Sequence, residues 1–172
     1  RELMASRWVG GIQCSVKIYQ TVVDEITGTT SIFMQRESMD LSVWRSKVTD
    51  IPTVGTVINL GLQVALFLEQ LHASGFVHCD IRAKNILVNE LMEVRVADFG
   101  MVRRCVEGVD PYDVMCESTE PPDREVGRAV DSWGLGCLIV HLILGGMPWG
   151  KEITKETFAT SELFHTIVSG VA

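Results

Sequence analysis

His78-Cys79-Asp80-Ile81-Arg82-Ala83-Lys84-Asn85, followed after a short apolar stretch by Asp98-Phe99-Gly100, decides how this chain is read. Asp80 and Asn85 are spaced so that a carboxylate and a carboxamide can face one pocket from a single loop, and a second carboxylate arriving on the neighbouring hairpin can grip a metal ion there. Those residue types suit phosphoryl transfer, in which the protein contributes mainly positioning and charge compensation. Asp80 is the candidate acceptor for the proton of an attacking hydroxyl. Asn85 and Asp98 carry the oxygen ligands that a hard cation such as Mg2+ prefers. Arg82 and Lys84 are both candidates to hold the transferring phosphoryl group, and the spacing does not choose between them.

Asp-Phe-Gly alone carries little weight, because at about 5% usage per residue type three fixed positions recur by chance about once in fifty chains of this length. The order of the two motifs adds weight, as does the apolar segment between them. A third signal lies downstream: Asp131-Ser132-Trp133-Gly134-Leu135-Gly136, ending in Gly146-Met147-Pro148-Trp149.

The 172 residues, 47% hydrophobic and 22% charged, are enough for one substantial core. Twenty-two acidic against fifteen basic side chains give a net charge of −7, and the basic residues are scattered, so nucleic-acid binding through phosphate neutralisation is not expected. The five cysteines are odd in number and lack C-x-x-C spacing, which argues against a disulfide framework or a zinc site and favours an intracellular, cytoplasmic setting. Nineteen uncharged residues lie between Asp131 and Lys151, but the run holds five glycines, Pro148 and His141, so a buried core helix is expected and no membrane span.

Residues 13–22 and 29–36 are rich in β-branched and aromatic side chains and flank a turn-like Asp24–Gly28, which predicts two antiparallel strands. From Thr53 to His72 the sequence is apolar nearly all round, with Gly75 beyond it as a stop, and predicts a buried helix. Phe76-Val77, Ile86–Val88 and Val94–Val96 read as short strands around the polar loop. Residues 100–123 read as a long irregular loop, 131–145 as a second apolar helix, and 151–172 as mostly helical with a start near Ser161. This ordering predicts an α+β class.

From about residue 30 to 150 the chain resembles a eukaryotic-type protein kinase, from the hinge through the large helical lobe. The resemblance implies a protein kinase-like fold: residues 1–40 a remnant of the small β lobe with the hinge, and 41–172 the mainly helical C-terminal lobe, incomplete at its end. It implies ATP and Mg2+ as cofactors and a protein substrate. It makes His78 and Phe99 stacked core residues and Asp131 an anchor for the backbone of the catalytic loop. It sets Met34 at the back of the nucleotide pocket, Gln35 and Glu37 as hinge residues facing adenine, Asp40 near the ribose and Leu87 beneath the base; Met34 and Leu87 read equally well as plain core residues. Gly134-Leu135-Gly136-Cys137 and Gly145-Gly146-Met147-Pro148-Trp149 resemble serine/threonine kinases more than tyrosine kinases.

Several positions depart from the family pattern. Cys79 stands where an arginine commonly follows the histidine, which implies that activity does not depend on phosphate on the loop containing Tyr112, Ser118 and Thr119. Cys116 stands where a threonine is usual in serine/threonine kinases, and Asp123 replaces the usual glutamate. No glycine-rich loop precedes the motifs. Lys17 is a poor candidate for the phosphate-pairing lysine, since only sixteen residues separate it from Met34, too few for a helix, two strands and their turns. Arg1-Glu2 resembles the family's helix position, which would make Glu2 the ion-pair partner of an upstream lysine, while composition favours a solvated terminal glutamate. Residues 1–172 alone are therefore expected to be poorly active. A pseudokinase acting as a binding or scaffold module is the alternative reading, and a small-molecule phosphotransferase the third.

Overall fold

A computed structural model describes Val9, residues 11–105 and residues 127–146. The expectations for Glu2, for residues 106–126 with their candidate phosphorylation sites, and for residues 147–172 fall outside the described residues.

Strands β1 (Ile18–Val23) and β2 (Thr30–Met34) form an antiparallel hairpin. Its turn is closed by Asp24, whose Oδ1 accepts from the backbone N–H groups of Ile26 (2.9 Å) and Thr27 (3.2 Å), and by Gly28 at φ +69°, a conformation that glycine adopts without steric cost. The first strand begins later than the sequence pattern suggests. Cys14 sits at φ 62°, and Ser15 forms a parallel bridge to Val96, with Val16 N donating to Val96 O (2.9 Å) and Val96 N to Cys14 O (2.7 Å). Residues 14–16 therefore serve the second sheet.

Strand β3 (Met39–Asp40) runs directly into helix α1 (Leu41–Lys47), which the sequence reading did not single out. Helix α2 (Val54–Ala73) and helix α3 (Arg128–Leu144) match the two apolar helices expected at 53–72 and 131–145, the second beginning a turn earlier. Thr53 caps α2 by accepting from Thr56 N, and Gly145 at φ 73° ends α3 in the left-handed conformation. Between the helices lie β4 (Phe76–Val77), a 3-10 turn (Ala83–Asn85), β5 (Ile86–Val88), β6 (Val94–Val96) and β7 (Arg103–Arg104). They make an antiparallel sheet in the order β3-β5-β6 and a separate β4–β7 ladder.

Helix α2 is long and apolar enough to cross a bilayer by length and composition, yet its buried residues, Leu60, Val64, Phe67, Leu68 and Leu71 among them, belong to the central core with Leu138 and Leu142 of α3 and Ile86, Val88, Val94 and Val96 of the sheet. It is a core helix of an α+β fold. At the centre of the core the rings of Phe67, His78 and Phe99 meet, with centroids 5.8–6.3 Å apart. His78 is fully buried, and desolvation holds its imidazole below the usual histidine range, with the carboxylates of Asp131, Asp80 and Asp98 opposing that shift.

Close approach of α3 to the polar loop requires Gly134. A Cβ there would lie 2.9 Å from the carbonyl oxygen of Ile81 and 3.0 Å from its Cβ. Alanine gains about 1 kcal/mol of helix propensity over glycine, but this contact with backbone is not relieved by turning a side chain. Gly134→Ala is expected to destabilise the fold by about 1–3 kcal/mol net, read as a lower urea midpoint; an unchanged or raised midpoint would show that α3 has room to move. A second expectation concerns acid. A histidine whose folded pKa lies below its unfolded value of about 6.5 contributes stability above that value and loses it as the pH falls, by up to about 1.4 kcal/mol per pH unit. Lowering the pH from 7 to 5 should reduce the urea midpoint, and His78→Phe should flatten that dependence.

Candidate active site

The polar loop of residues 78–85 leaves β4 and is held from below by Asp131 of α3. This carboxylate is fully buried, and both of its oxygens are engaged: Oδ1 accepts from Cys79 N (2.8 Å), and Oδ2 from His78 N (2.8 Å) and from His72 Nε2 (2.7 Å). A buried carboxylate is tolerated where its lone pairs are satisfied in this way. Asp131 anchors the loop backbone as the resemblance implied, and His72, at the end of α2, is a partner the sequence reading missed.

The grip on Cys79 N holds Cys79 at φ 65°, a conformation costly for a residue with a Cβ. Its side chain is buried, and desolvation, reinforced by Asp131 and partly offset by the Arg103 guanidinium, pushes the thiol up to about 12. Such a thiol stays protonated at neutral pH and is no nucleophile. The Cys137 thiol, also buried, is pushed up to about 11.

Directly after this anchored segment, Asp80 and Asn85 come together. Asn85 Nδ2 donates to Asp80 Oδ2 (2.6 Å) and to the Asp80 carbonyl (3.0 Å), so the carboxamide nitrogen is committed to Asp80 and Asn85 Oδ1 is left to accept. Asp80 Oδ1 is buried and has no hydrogen-bond partner among the described residues. An unpaired buried carboxylate oxygen is costly unless a ligand completes it.

Asp98 reaches the same neighbourhood along a second route. Ala97 N donates to Asn85 O (2.8 Å), which fastens the residue before Asp98 to the loop. Asp98 is at φ 62°, is exposed, and receives one long bond, from Gly100 N to Oδ1 (3.3 Å). Asp80 and Asp98 both act electrostatically on His78, which fits two carboxylates flanking one buried ring. Among the described residues no cluster of three or more His, Cys, Asp or Glu side chains could hold a metal by itself. One carboxylate and one amide oxygen beside a nucleotide's phosphates suit Mg2+, which is seldom caged by protein alone.

The remaining site candidates spread over the surrounding elements. Arg82 is half-buried and precedes the 3-10 turn; Lys84 is exposed on it. Met34 ends β2 and is 42% exposed. Gln35 N already donates to Lys17 O (2.7 Å), and its side chain donates to Glu37 Oε1 (2.8 Å). Asp40 and Leu87 are directly opposed across the β3–β5 ladder. Asp40 Oδ1 also caps α1 by accepting from Val43 N (2.9 Å).

Comparison with known proteins bears on this arrangement. The model of the protein kinase domain matches residues 14–169. The chain is similar to serine/threonine-protein kinase SBK1 of Danio rerio, 36% identical over 106 residues that cover 56% of this chain and 28% of that protein. It is similar to mitogen-activated protein kinase kinase kinase 17 of Arabidopsis thaliana, 31% identical over 52% of this chain and 25% of that protein. It is 30% identical to mitogen-activated protein kinase kinase 10 of Arabidopsis thaliana, over 74% of this chain and 44% of that protein. The matches thus span about a quarter to under a half of these relatives. In three dimensions, a chain in the crystal structure of the yeast RNA Pol II CTD kinase CTDK-1 complex superposes with a TM-score of 0.74 at 21% identity, over 91% of this chain and 55% of that one, which establishes a shared fold. A domain match over nearly the whole sequence, on a backbone that superposes on a kinase, places this chain in the protein kinase family.

Proposed function

We propose that the protein to which this chain belongs transfers the γ-phosphoryl group of ATP, with Mg2+, to serine or threonine hydroxyls of protein substrates. The observation that carries the proposal is the state of Asp80: one carboxylate oxygen is fixed by the Asn85 amide at 2.6 Å, and the other is buried with no hydrogen-bond partner among the described residues. That orphaned oxygen is where a substrate hydroxyl completes the hydrogen bonding. Asp80 needs no special acidity to accept the proton as the oxygen attacks, only reach and orientation. Asn85 supplies the orientation.

Asn85 Oδ1 and the Asp98 carboxylate are the groups that would hold Mg2+, which when bound neutralises phosphate charge in the transition state. Lys84, exposed beside Asn85, and Arg82 are the cations available to the transferring group. Met34, Gln35, Glu37, Asp40 and Leu87 form the reading's nucleotide side. The serine/threonine preference rests on the names of the relatives.

The test uses the whole protein. Asp80→Ala is expected to lower phosphate transfer to serine/threonine peptides by about 10²- to 10⁴-fold while Mg-ATP affinity stays close to wild type; Asp98→Asn is expected to weaken the Mg2+-dependent part of nucleotide binding. A wild-type protein that binds Mg-ATP yet transfers nothing would instead be a nucleotide-binding scaffold, and one that binds no nucleotide would contradict both readings.

A further inference from the structure

Arg45, on the short helix α1, sits between the carbonyl ends of two helices. Its Nε donates to Leu142 O (2.7 Å) and its Nη2 to Ile143 O (3.2 Å), both in the last turn of α3, while Nη1 donates to Val48 O (2.9 Å), the C-cap of α1 itself. Helix C-termini carry unsatisfied carbonyls and a partial negative charge, so two of them brought together repel unless a cation lies between them. Arg45 is that cation, and among the described residues it forms no ion pair with a carboxylate. The fit is close: a Cβ on Gly145 would stand 3.3 Å from the guanidinium carbon. Nearby His141 is held below its usual range by burial first, with Arg45 adding to the effect.

What α1 touches gives this clasp a functional meaning. The helix has only seven residues, too few to be stable in isolation, so its position is set by its attachments. It packs against the 3-10 turn Ala83–Asn85, which carries Lys84 and Asn85, and against β3 and β5. Its first residue, Leu41, is fully buried, and its N-cap is Asp40. We propose that Arg45 is a positioning residue for the nucleotide: by tying α1 to the end of α3, it holds Asp40 and the Asn85 turn in place from outside the site. The inference rests on the kinase reading above. It assigns to Arg45 an effect on nucleotide affinity that helix capping alone would not produce.

The experiment measures Mg-ATP dissociation constants by fluorescent-nucleotide displacement, together with thermal melting, for the whole protein as wild type, Arg45→Met, Arg45→Lys, Asp40→Ala and the Arg45→Met/Asp40→Ala double variant. Arg45→Met is expected to weaken nucleotide binding about tenfold. Arg45→Lys keeps the charge but lacks the planar fork that reaches three carbonyls, so an intermediate loss is expected; it also supplies the reading if Arg45→Met does not fold. The double variant should bind less weakly than the product of the two single effects predicts, since both act through α1. A lowered melting temperature with unchanged nucleotide affinity, or strictly additive effects, would overturn the inference and leave Arg45 a structural clasp. A wild type that binds no nucleotide would overturn the kinase reading and this inference with it, an outcome distinct from wild-type binding that Arg45→Met leaves untouched.

Discussion

The buried carboxylate of Asp131 is the constraint on which the rest of the site depends. It accepts from two consecutive backbone N–H groups, those of His78 and Cys79, and from His72, and so ties α3, the end of α2 and the start of the polar loop at one point. Each of those buried N–H groups would cost about 1–3 kcal/mol if left without an acceptor. The anchor is also what sustains the left-handed Cys79, and the turn of the chain at that residue delivers Asp80 to its position beside Asn85. Gly134, about one helical turn beyond Asp131, lets α3 come close enough for the anchor to reach.

The division of labour follows from this geometry. Long helices with packed apolar faces fix the frame, and a loop of few residues carries the polar groups of the candidate site. That loop is fastened at its beginning by Asp131, in its middle by the Asp80–Asn85 pair, and at its end by the hydrogen bond from Ala97 to Asn85 O. Asp98 and Cys79, both at positive φ, are the two non-glycine residues where the backbone departs most from ordinary conformations near the site. Strain concentrated beside functional groups is what a tightly determined site tolerates.

Much of this was legible in the sequence. Helices α2 and α3 declared themselves through long apolar runs ended by glycine, and the β4, β5 and β6 strands through short β-branched stretches, because burial leaves those compositional marks. The Asp80–Asn85 spacing foretold their meeting, since both lie on one short loop. Helix α1 escaped notice: seven residues give too short a periodicity, although Asp40 before Leu41 was a capping signal that could have revealed it. The first strand was set too early because nothing in Cys14-Ser15-Val16 marks a positive φ or a parallel bridge to residue 96. His72 and Arg45 act over separations of 59 and 97 residues, and no local pattern encodes such partners. The residues proposed for the nucleotide side were nameable only through resemblance to a family, and the capping of α1 by Asp40 is visible only in the hydrogen bond from Val43 N.

The proposed function requires that Asn85 and Asp98 serve one divalent ion beside Asp80. Paramagnetic relaxation with Mn2+ and ATP on the isotopically labelled whole protein tests it most directly. The Asn85 side-chain amide and the backbone amide of Asp98 are expected to broaden together, and only when nucleotide is present. Broadening at one of them without the other, or at neither under saturating nucleotide, would contradict it.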